Sequence, residues 1–211
     1  SASRGFDLHF VDLDDVYSIN VATRKGSKLL EGFHHAFDAL PSDMKRVNAR
    51  LSEKWERFAY RLDFDIYMLP QLLEKSYDSD LWDELGEICL ACGMCTQVCP
   101  TCYCFDVMDE ADLALEHGQR VRRWDSCQIH QFAMVAGGHN FREQLASRQR
   151  HRFMRKGKYQ KEAIGMVGCT GCGRCASSCL VNITPIEVFN ELYARAQAKE
   201  AAALVAGEVA A

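Results

Sequence analysis

Two cysteine runs of identical spacing constrain this sequence more than any other feature. Both read C-x2-C-x2-C-x3-C; they are Cys89, Cys92, Cys95 and Cys99, and Cys169, Cys172, Cys175 and Cys179. Two residues between cysteines form a tight turn that directs successive sulfurs to different irons of one [4Fe-4S] cube, and the fourth cysteine is sent to a second cluster. Two copies of the run therefore predict an electron carrier with two [4Fe-4S] clusters.

Zinc and disulfide bonds are the alternatives for a cysteine-rich chain. Structural zinc sites use two C-x2-C pairs, so the third and fourth cysteines of each run would be surplus. Disulfide frameworks belong to secreted proteins, but the segment 1–10 lacks the apolar stretch of a signal peptide. The total of 11 cysteines is also odd. Iron–sulfur binding is the interpretation that these observations favour.

Residues within and after the runs suit this chemistry. Gly93, Gly171 and Gly173 let the backbone approach a cluster without a Cβ clash, and their N–H groups can donate to sulfur. Pro100 follows the first run, whereas Leu180 stands at the equivalent position after the second. Because proline there ends the turn and binds no iron, we expect this difference to have little effect.

Composition is that of an ordinary globular protein, with 48% hydrophobic and 26% charged residues among 211. This length allows one large domain or two small ones. The net charge of −4 gives no reason to expect a nucleic-acid partner. No apolar stretch approaches the ~20 residues of a membrane span. We expect a cytoplasmic protein.

Hydrophobic periodicity predicts a mostly helical α+β chain. Strand pairs are expected within 6–23 and at 104–109 with 119–125. Helices are expected at 29–40, 43–60, 66–75, from Ser79 towards the first run, and at 128–135 and 140–156. A capping box from Thr184 to Glu187 begins a last helix through Tyr193. Three aromatic residues at helical spacing are predicted to be core: Trp55, Phe58 and Trp82.

The predicted organisation has three parts. Residues 1–80 form an N-terminal strand pair and helical segment, and residues 81–195 form the cluster-binding domain. That domain carries an insertion at 100–168, and an alanine-rich tail follows at 196–211 as a frayed helix or a disordered end.

Four motifs of the insertion are informative together: Cys99-Pro-Thr-Cys102-Tyr-Cys104-Phe-Asp106, Trp124-Asp-Ser-Cys127, Ala136-Gly-Gly-His139-Asn-Phe141-Arg142 and Arg148-x-Arg150-His-Arg152-Phe153. Over roughly residues 6–195 the chain resembles the iron–sulfur β subunit of cytosolic, sulfhydrogenase-type nickel–iron hydrogenases. It is equally similar to the A subunit of anaerobic sulfite reductase. Relatives usually have a further N-terminal domain, so we expect a natural truncation or a partial chain.

The resemblance implies a relay of electrons between a flavin subunit that handles NAD(P)H and a catalytic subunit, either a nickel–iron hydrogenase or a sulfite reductase. No catalytic nucleophile or acid–base pair is visible, so the chemistry would take place on a partner. The alternative is a freestanding ferredoxin-like carrier or redox sensor. The helical bulk at 29–85 would be unnecessary for a free carrier and favours the relay.

Similarity to bacterial two-cluster ferredoxins implies an α-helical ferredoxin-type core with an inserted hairpin and helices. It also implies two crossed ligand sets: Cys89, Cys92, Cys95 and Cys179 for one cluster, and Cys169, Cys172, Cys175 and Cys99 for the other.

Three cysteines then remain: Cys102, Cys104 and Cys127. They are either buried thiols near a cluster or part of a third cluster completed by His130 or His139. A basic run extends from Arg148 to Lys161. It is either a solvated face, a counter-charge that raises cluster potentials, or a docking surface for an acidic partner.

Overall fold

The computed structural model describes residues 5–209, apart from the side chains of Trp55 and of residues 206–209. The chain divides into two compact units, one that ends at Arg61 and one that begins at Leu62. Among the described residues, no helix has both the length and the apolarity that a membrane crossing requires.

A strand pair and two helices form the first unit. Strand β1 (Leu8–Asp12) pairs antiparallel with β2 (Tyr17–Val21), so that Phe10 lies opposite Ile19. The turn between them places Asp14 at φ 74°, and the Asp14 N–H donates to Asp12 Oδ1 at 2.9 Å. The predicted strand pair is confirmed.

Helix α1 (Arg24–Leu30) is capped by Thr23, and helix α2 (Pro41–Glu56) begins at a proline. The predicted helix over 29–40 is wrong. Helix α1 ends as that segment begins, and Gly32 at φ 82° turns the chain away. The prediction of a core position is also wrong for Phe58, whose surface is 47% exposed. The predicted core side chain of Trp55 lies outside the described residues.

Helices from distant parts of the sequence build the core of the second unit. They are α3 (Leu69–Lys75), α4 (Leu81–Ile88), α6 (Leu145–Met154) and α9 (Pro185–Val209). The Phe153 ring lies 6.0 Å from the Trp82 ring and 5.6 Å from the Phe189 ring. Trp82 is buried, as predicted, and its indole N–H donates to the Ser76 carbonyl at 2.8 Å.

Between the cysteine runs the chain forms a hairpin and then a long helical segment. Strand β3 (Phe105–Ala111) pairs with β4 (Gly118–Trp124), which confirms the second predicted strand pair. The helix expected at 128–135 is only a 3-10 turn at His130–Ala133.

The expected helix over 140–156 is displaced towards the C-terminus. Helix α6 begins at Leu145, passes through one π-helical turn (Arg155–Tyr159) and continues as α7 (Gln160–Ile164). Gly157 lies in the π-helical turn against α3, where an added Cβ would stand 2.2 Å from Leu73 Cδ1. Because residue 157 has no side chain, α3 can pack closely on this turn.

The capping box is present, since the Glu187 N–H donates to Thr184 Oγ1 at 3.2 Å. Helix α9 continues past Tyr193 to Val209, because the alanine-rich stretch has high helix propensity. The boundary between units falls after Arg61, whereas the sequence suggested a division after 80. Helix α3 belongs with the second unit because Leu69 and Leu73 are fully buried in its core.

Candidate iron–sulfur site

The two cysteine runs adopt the same local backbone. Short helices α5 (Met94–Gln97) and α8 (Arg174–Ser177) each follow a left-handed glycine, Gly93 or Gly173, at φ 74°. The residue before the second cysteine of each run is also left-handed, with φ 52° at Ala91 and 69° at Gly171. Since α5 and α8 pack against each other, the two cysteine loops lie side by side.

One cavity brings together cysteines from both runs. It is lined by four of the predicted ligands, Cys89, Cys92, Cys95 and Cys179, and we refer to it as site 1. Cys92 is exposed and the other three are half-buried. Backbone N–H groups point at its sulfurs: that of Ala91 lies 3.4 Å from Cys89 Sγ, and that of Ile183 lies 3.3 Å from Cys179 Sγ.

The other four predicted ligands, Cys99, Cys169, Cys172 and Cys175, constitute site 2. Burial raises the pKa of Cys169, and the nearby thiols of Cys175 and Cys99 raise it further, while the Gly171 N–H opposes the shift. Cys99 from the first run therefore stands beside the second. Cys172 occupies the exposed position of its loop, as Cys92 does in the first.

These donor sets fit a cluster better than a single ion. Zinc holds four ligands within about 2.3 Å of one centre. Within the described part of the chain, no three His, Cys, Asp or Glu side chains converge closely enough to hold one metal ion. Sites 1 and 2 nevertheless contain four thiols each, the soft ligands that iron–sulfur clusters use, and a cluster of four irons keeps its thiolates apart.

Helix α6 presents a buried amide to site 1. Gln149 is 1% exposed, and its Nε2 donates to Cys89 Sγ at 2.8 Å and to Gln128 Oε1 at 3.0 Å. Gln128 is held in turn, because its Nε2 donates to the Arg148 carbonyl at 3.0 Å. These hydrogen bonds fix the amide of Gln149 towards the Cys89 sulfur.

Arg152, one turn further along α6, lies between the two sites. It is 5% exposed, lines site 1 and covers the Phe153 ring at 4.7 Å. Burial opposes its charge, but Cys95 of site 1 and Cys175 of site 2 raise the pKa of the guanidinium, which also hydrogen-bonds to Cys175. The guanidinium is therefore a buried cation in contact with both ligand sets.

Lys156 lies near Cys99 of site 2. Its Nζ donates to Thr101 Oγ1 at 2.7 Å, and that hydroxyl lies 3.3 Å from Cys99 Sγ. Burial raises the pKa of Cys99, but hydrogen bonds from Thr101 and the charge of Lys156 outweigh it and lower the value to about 7. The thiolate form needed for iron binding is therefore favoured at this position.

The three remaining cysteines lie near the base of the hairpin. Cys104 and Cys127 are buried, and their thiols are hydrogen-bonded to each other. This bond lowers the pKa of Cys104 to about 6 and raises that of Cys127. Cys102 lies near Cys99, and burial raises its pKa. His139, expected as a possible further ligand, is exposed and contacts the Phe141 ring at 4.7 Å.

Sequence reasoning missed Gln149 and Gln128, because a glutamine in a basic segment carries no signal of its own. The spacing of Gln149, Arg152 and Lys156 could have revealed Gln149. Positions i, i+3 and i+7 share one helix face, and that face turns towards the cysteines. The basic run is accordingly not one surface: Arg148 and Arg152 are buried, whereas Arg150 covers the Tyr77 ring at 4.2 Å.

Comparison with known proteins agrees with this geometry. Residues 88–183 match the family model of a 4Fe-4S dicluster domain. The chain is also 35% identical over 191 residues to sulfhydrogenase 2 subunit beta of Pyrococcus furiosus, an alignment that covers 90% of this chain. The chain is thus similar over most of its length to a sulfhydrogenase β subunit, and it matches the dicluster domain over both cysteine runs.

These similarities confirm the predicted resemblance and the predicted 4Fe-4S chemistry. The dicluster match begins just before Cys89 and ends after Cys179, so it includes both runs and the hairpin between them. The chain spans 56% of the length of the β subunit that it matches. No solved structure matches it.

Proposed function

We propose that this chain is a cytoplasmic electron-relay subunit of a hydrogenase complex. It passes single electrons between a flavoprotein subunit that oxidises or reduces NAD(P)H and a catalytic nickel–iron subunit. The observation that carries the proposal is the pair of cysteine loops that lie side by side, each with one cysteine open to solvent, Cys92 or Cys172. A relay needs such a pair because an electron must reach each centre from outside and cross between them.

Each site binds one [4Fe-4S] cluster in a ferredoxin-like core, with the fourth ligand crossed between runs. The cavity that holds Cys179 together with Cys89, Cys92 and Cys95 supports the first set. The effect of the nearby Cys99 thiol on the pKa of Cys169 supports the second. When bound, the clusters supply the one-electron chemistry. The chain supplies thiolates, hydrogen bonds to sulfur and a separation from water.

The surface around site 1 favours a stable subunit over a freestanding carrier. Three apolar side chains that line site 1 with Cys92 are between 45% and 78% exposed: Leu90, Met94 and Leu180. Exposed apolar surface of this kind is typical of protein–protein interfaces. Leu180 is the residue that replaces the usual proline, so the departure from the ferredoxin pattern adds apolar surface at this rim.

Iron and sulfide analysis of the anaerobically purified full chain tests the cofactor content. We expect about eight irons, with a spin-coupled electron paramagnetic resonance signal after dithionite reduction. Cys92→Ser and Cys172→Ser should each perturb one cluster. The matched controls Cys104→Ser and Cys127→Ser should keep all eight irons. About twelve irons, or loss of iron from the controls, would instead assign these thiols to a third cluster, and zinc in place of iron would refute the relay.

Co-purification tests the complex. The chain is co-expressed with a flavoprotein subunit and with either a nickel–iron hydrogenase or a sulfite reductase catalytic subunit. We expect a stable complex with the hydrogenase pair, in which NADPH reduces the clusters. A complex only with the sulfite reductase pair would assign the relay to that enzyme, since the two kinds of subunit share these motifs. A chain that stays monomeric with both pairs would support the freestanding carrier.

A further inference from the structure

One face of helix α6 and the following π-helical turn runs past both sites. It presents Gln149, Arg152 and Lys156 at positions i, i+3 and i+7, and we refer to these three residues as the polar stripe. Each has a different neighbour: Gln149 contacts Cys89 of site 1, Arg152 contacts cysteines of both sites, and Lys156 reaches Thr101 beside Cys99 of site 2. The side-chain charge therefore changes along the stripe, from neutral at site 1 to positive at site 2.

The backbone does not create this difference. Site 1 receives N–H groups from Ala91 and Ile183, and site 2 receives them from Gly171 and Thr101. With matching loops and equivalent backbone donors, the contrast between the sites rests on side chains. Hydrogen bonds and nearby charge are two of the means by which a protein sets a cluster potential.

A fixed cation stabilises whichever neighbouring centre gains negative charge, and one-electron reduction adds one negative charge to a cluster. Arg152 cannot lose its proton in a protein. It lines site 1, and its charge interacts with Cys95 and Cys179 of site 1 and with Cys175 of site 2. Its effect is shared. Lys156 adds a second cation near Cys99 and Cys169 of site 2, whereas the corresponding side chain of the stripe at site 1 is the neutral amide of Gln149. A charged donor interacts more strongly with an anion than a neutral one does.

We infer that Arg152 and Lys156 are positioning residues that order the two reduction potentials, with Arg152 raising both and Lys156 raising that of site 2 alone. This inference rests on the proposed pair of [4Fe-4S] clusters. Site 2 is then the centre that is reduced first, and an electron that enters at site 1 moves on to site 2.

A potentiometric titration of the full chain, followed by electron paramagnetic resonance, tests this order. The variant is Lys156→Gln, which removes the charge at a half-buried position and keeps an amide that can donate to Thr101. We expect site 2 to become harder to reduce by about tenfold in its equilibrium constant, which is about 59 mV for a one-electron couple. Site 1 should stay unchanged. Cys92→Ser and Cys172→Ser assign the two signals.

Two matched variants separate charge from structure. Lys156→Arg keeps the cation and should keep the wild-type potentials. Lys161→Gln removes a cation of the next helical turn, whose Nζ contacts only the Gly165 carbonyl among the hydrogen bonds recorded for it, and should change neither potential. Arg152→Gln should lower both potentials together or release iron from both sites, whereas an effect on one site alone would contradict its shared role.

The results distinguish this inference from the proposed function. A wild-type chain without about eight irons would remove both. A chain with eight irons in which Lys156→Gln shifts neither site, or shifts both equally, would leave the relay intact and overturn the assigned role of Lys156. A wild-type chain in which site 1 has the higher potential would overturn the order itself.

Discussion

The contact between α4 and α6 sets the distance between the Cys89 sulfur and its amide donor, Gln149. The substitution Gly86→Ala should disturb this helix contact and lengthen that distance. Gly86 stands one turn before Cys89 on α4, and Ala146 stands one turn before Gln149 on α6. An added Cβ at Gly86 would lie 2.7 Å from the Ala146 backbone nitrogen and 3.1 Å from its Cα. Because those atoms are backbone, no side-chain rotation relieves the clash.

The expected cost follows from three terms. Ordinary contact at about 3.4 Å requires the helices to separate by about 0.7 Å, and overpacking of this kind costs about 1–3 kcal/mol. Weakening the hydrogen bond from Gln149 to Cys89 costs about 1 kcal/mol more. The gain in helix propensity returns up to about 1 kcal/mol. The net loss is about 2 kcal/mol, equivalent to a melting temperature lower by about 4–8 °C for a chain of this size.

Anaerobic thermal unfolding, followed by far-ultraviolet circular dichroism and by cluster absorbance, measures the effect. The matched control is Gly118→Ala in β4, where the new Cβ meets only the Glu110 carbonyl at 3.5 Å; it should change stability by less than about 0.5 kcal/mol. The double variant Gly86→Ala, Ala146→Gly should not recover, because the nearest atom is the backbone nitrogen. A midpoint for Gly86→Ala at or above wild type would refute this reasoning and leave helix propensity as the dominant effect.

Three further changes have defined outcomes. Phe153→Ala should cost about 3–5 kcal/mol because the ring is 1% exposed among Trp82 and Phe189, whereas Phe141→Ala, at a ring 68% exposed, should be nearly neutral in the same unfolding assay. Thr184→Ala should cost about 1 kcal/mol through loss of the α9 cap, and Thr184→Ser should restore it. Burial, with the charges of Arg142 and Arg155, lowers the pKa of His151 to about 4. In the unfolded chain His151 binds a proton near pH 6.5. The free energy of unfolding should therefore fall by about 1–2 kcal/mol, allowing for partial exposure, as the pH drops from 6.5 to 4. The variant His151→Gln should remove that part of the pH dependence.

The sequence predicted best where local chemistry decides the structure. The two hairpins, the capping box at Thr184 and the tight turns of the cysteine runs all depend on residues within a few positions of each other. The dicluster domain could be predicted for the same reason, since ligand spacing encodes its loops. The helix over 29–40 could not, because apolar spacing suggested it while Gly32, in a left-handed conformation, ended it.

Burial of charge explains why the sequence left the basic run open between a solvated face, a counter-charge and a docking surface. A buried guanidinium without compensation is costly, and the sequence of the run does not show what compensates it. In the structure two carbonyls accept hydrogen bonds from Arg148: its Nη1 donates to that of Gln128 at 2.7 Å and its Nη2 to that of Glu143 at 3.1 Å. Arg152 instead faces the thiols of two sites. Anionic clusters bound by those thiols, as proposed, would compensate its charge, and no pattern within α6 alone encodes them.

A buried arginine surrounded by cysteines is therefore informative about the cofactor as well as about the fold. Arg152 is 5% exposed, and its surroundings are sulfur and the Phe153 ring. Neutral thiols would leave its charge almost uncompensated, whereas thiolates bound to iron carry net negative charge on both sides of it. We therefore expect the helix that buries Arg152 to be more stable in this position when both sites are filled. Cluster binding and the packing of α6 against α4 should accordingly be coupled, so loss of either cluster should loosen the helix that positions Gln149 and Lys156 for the other.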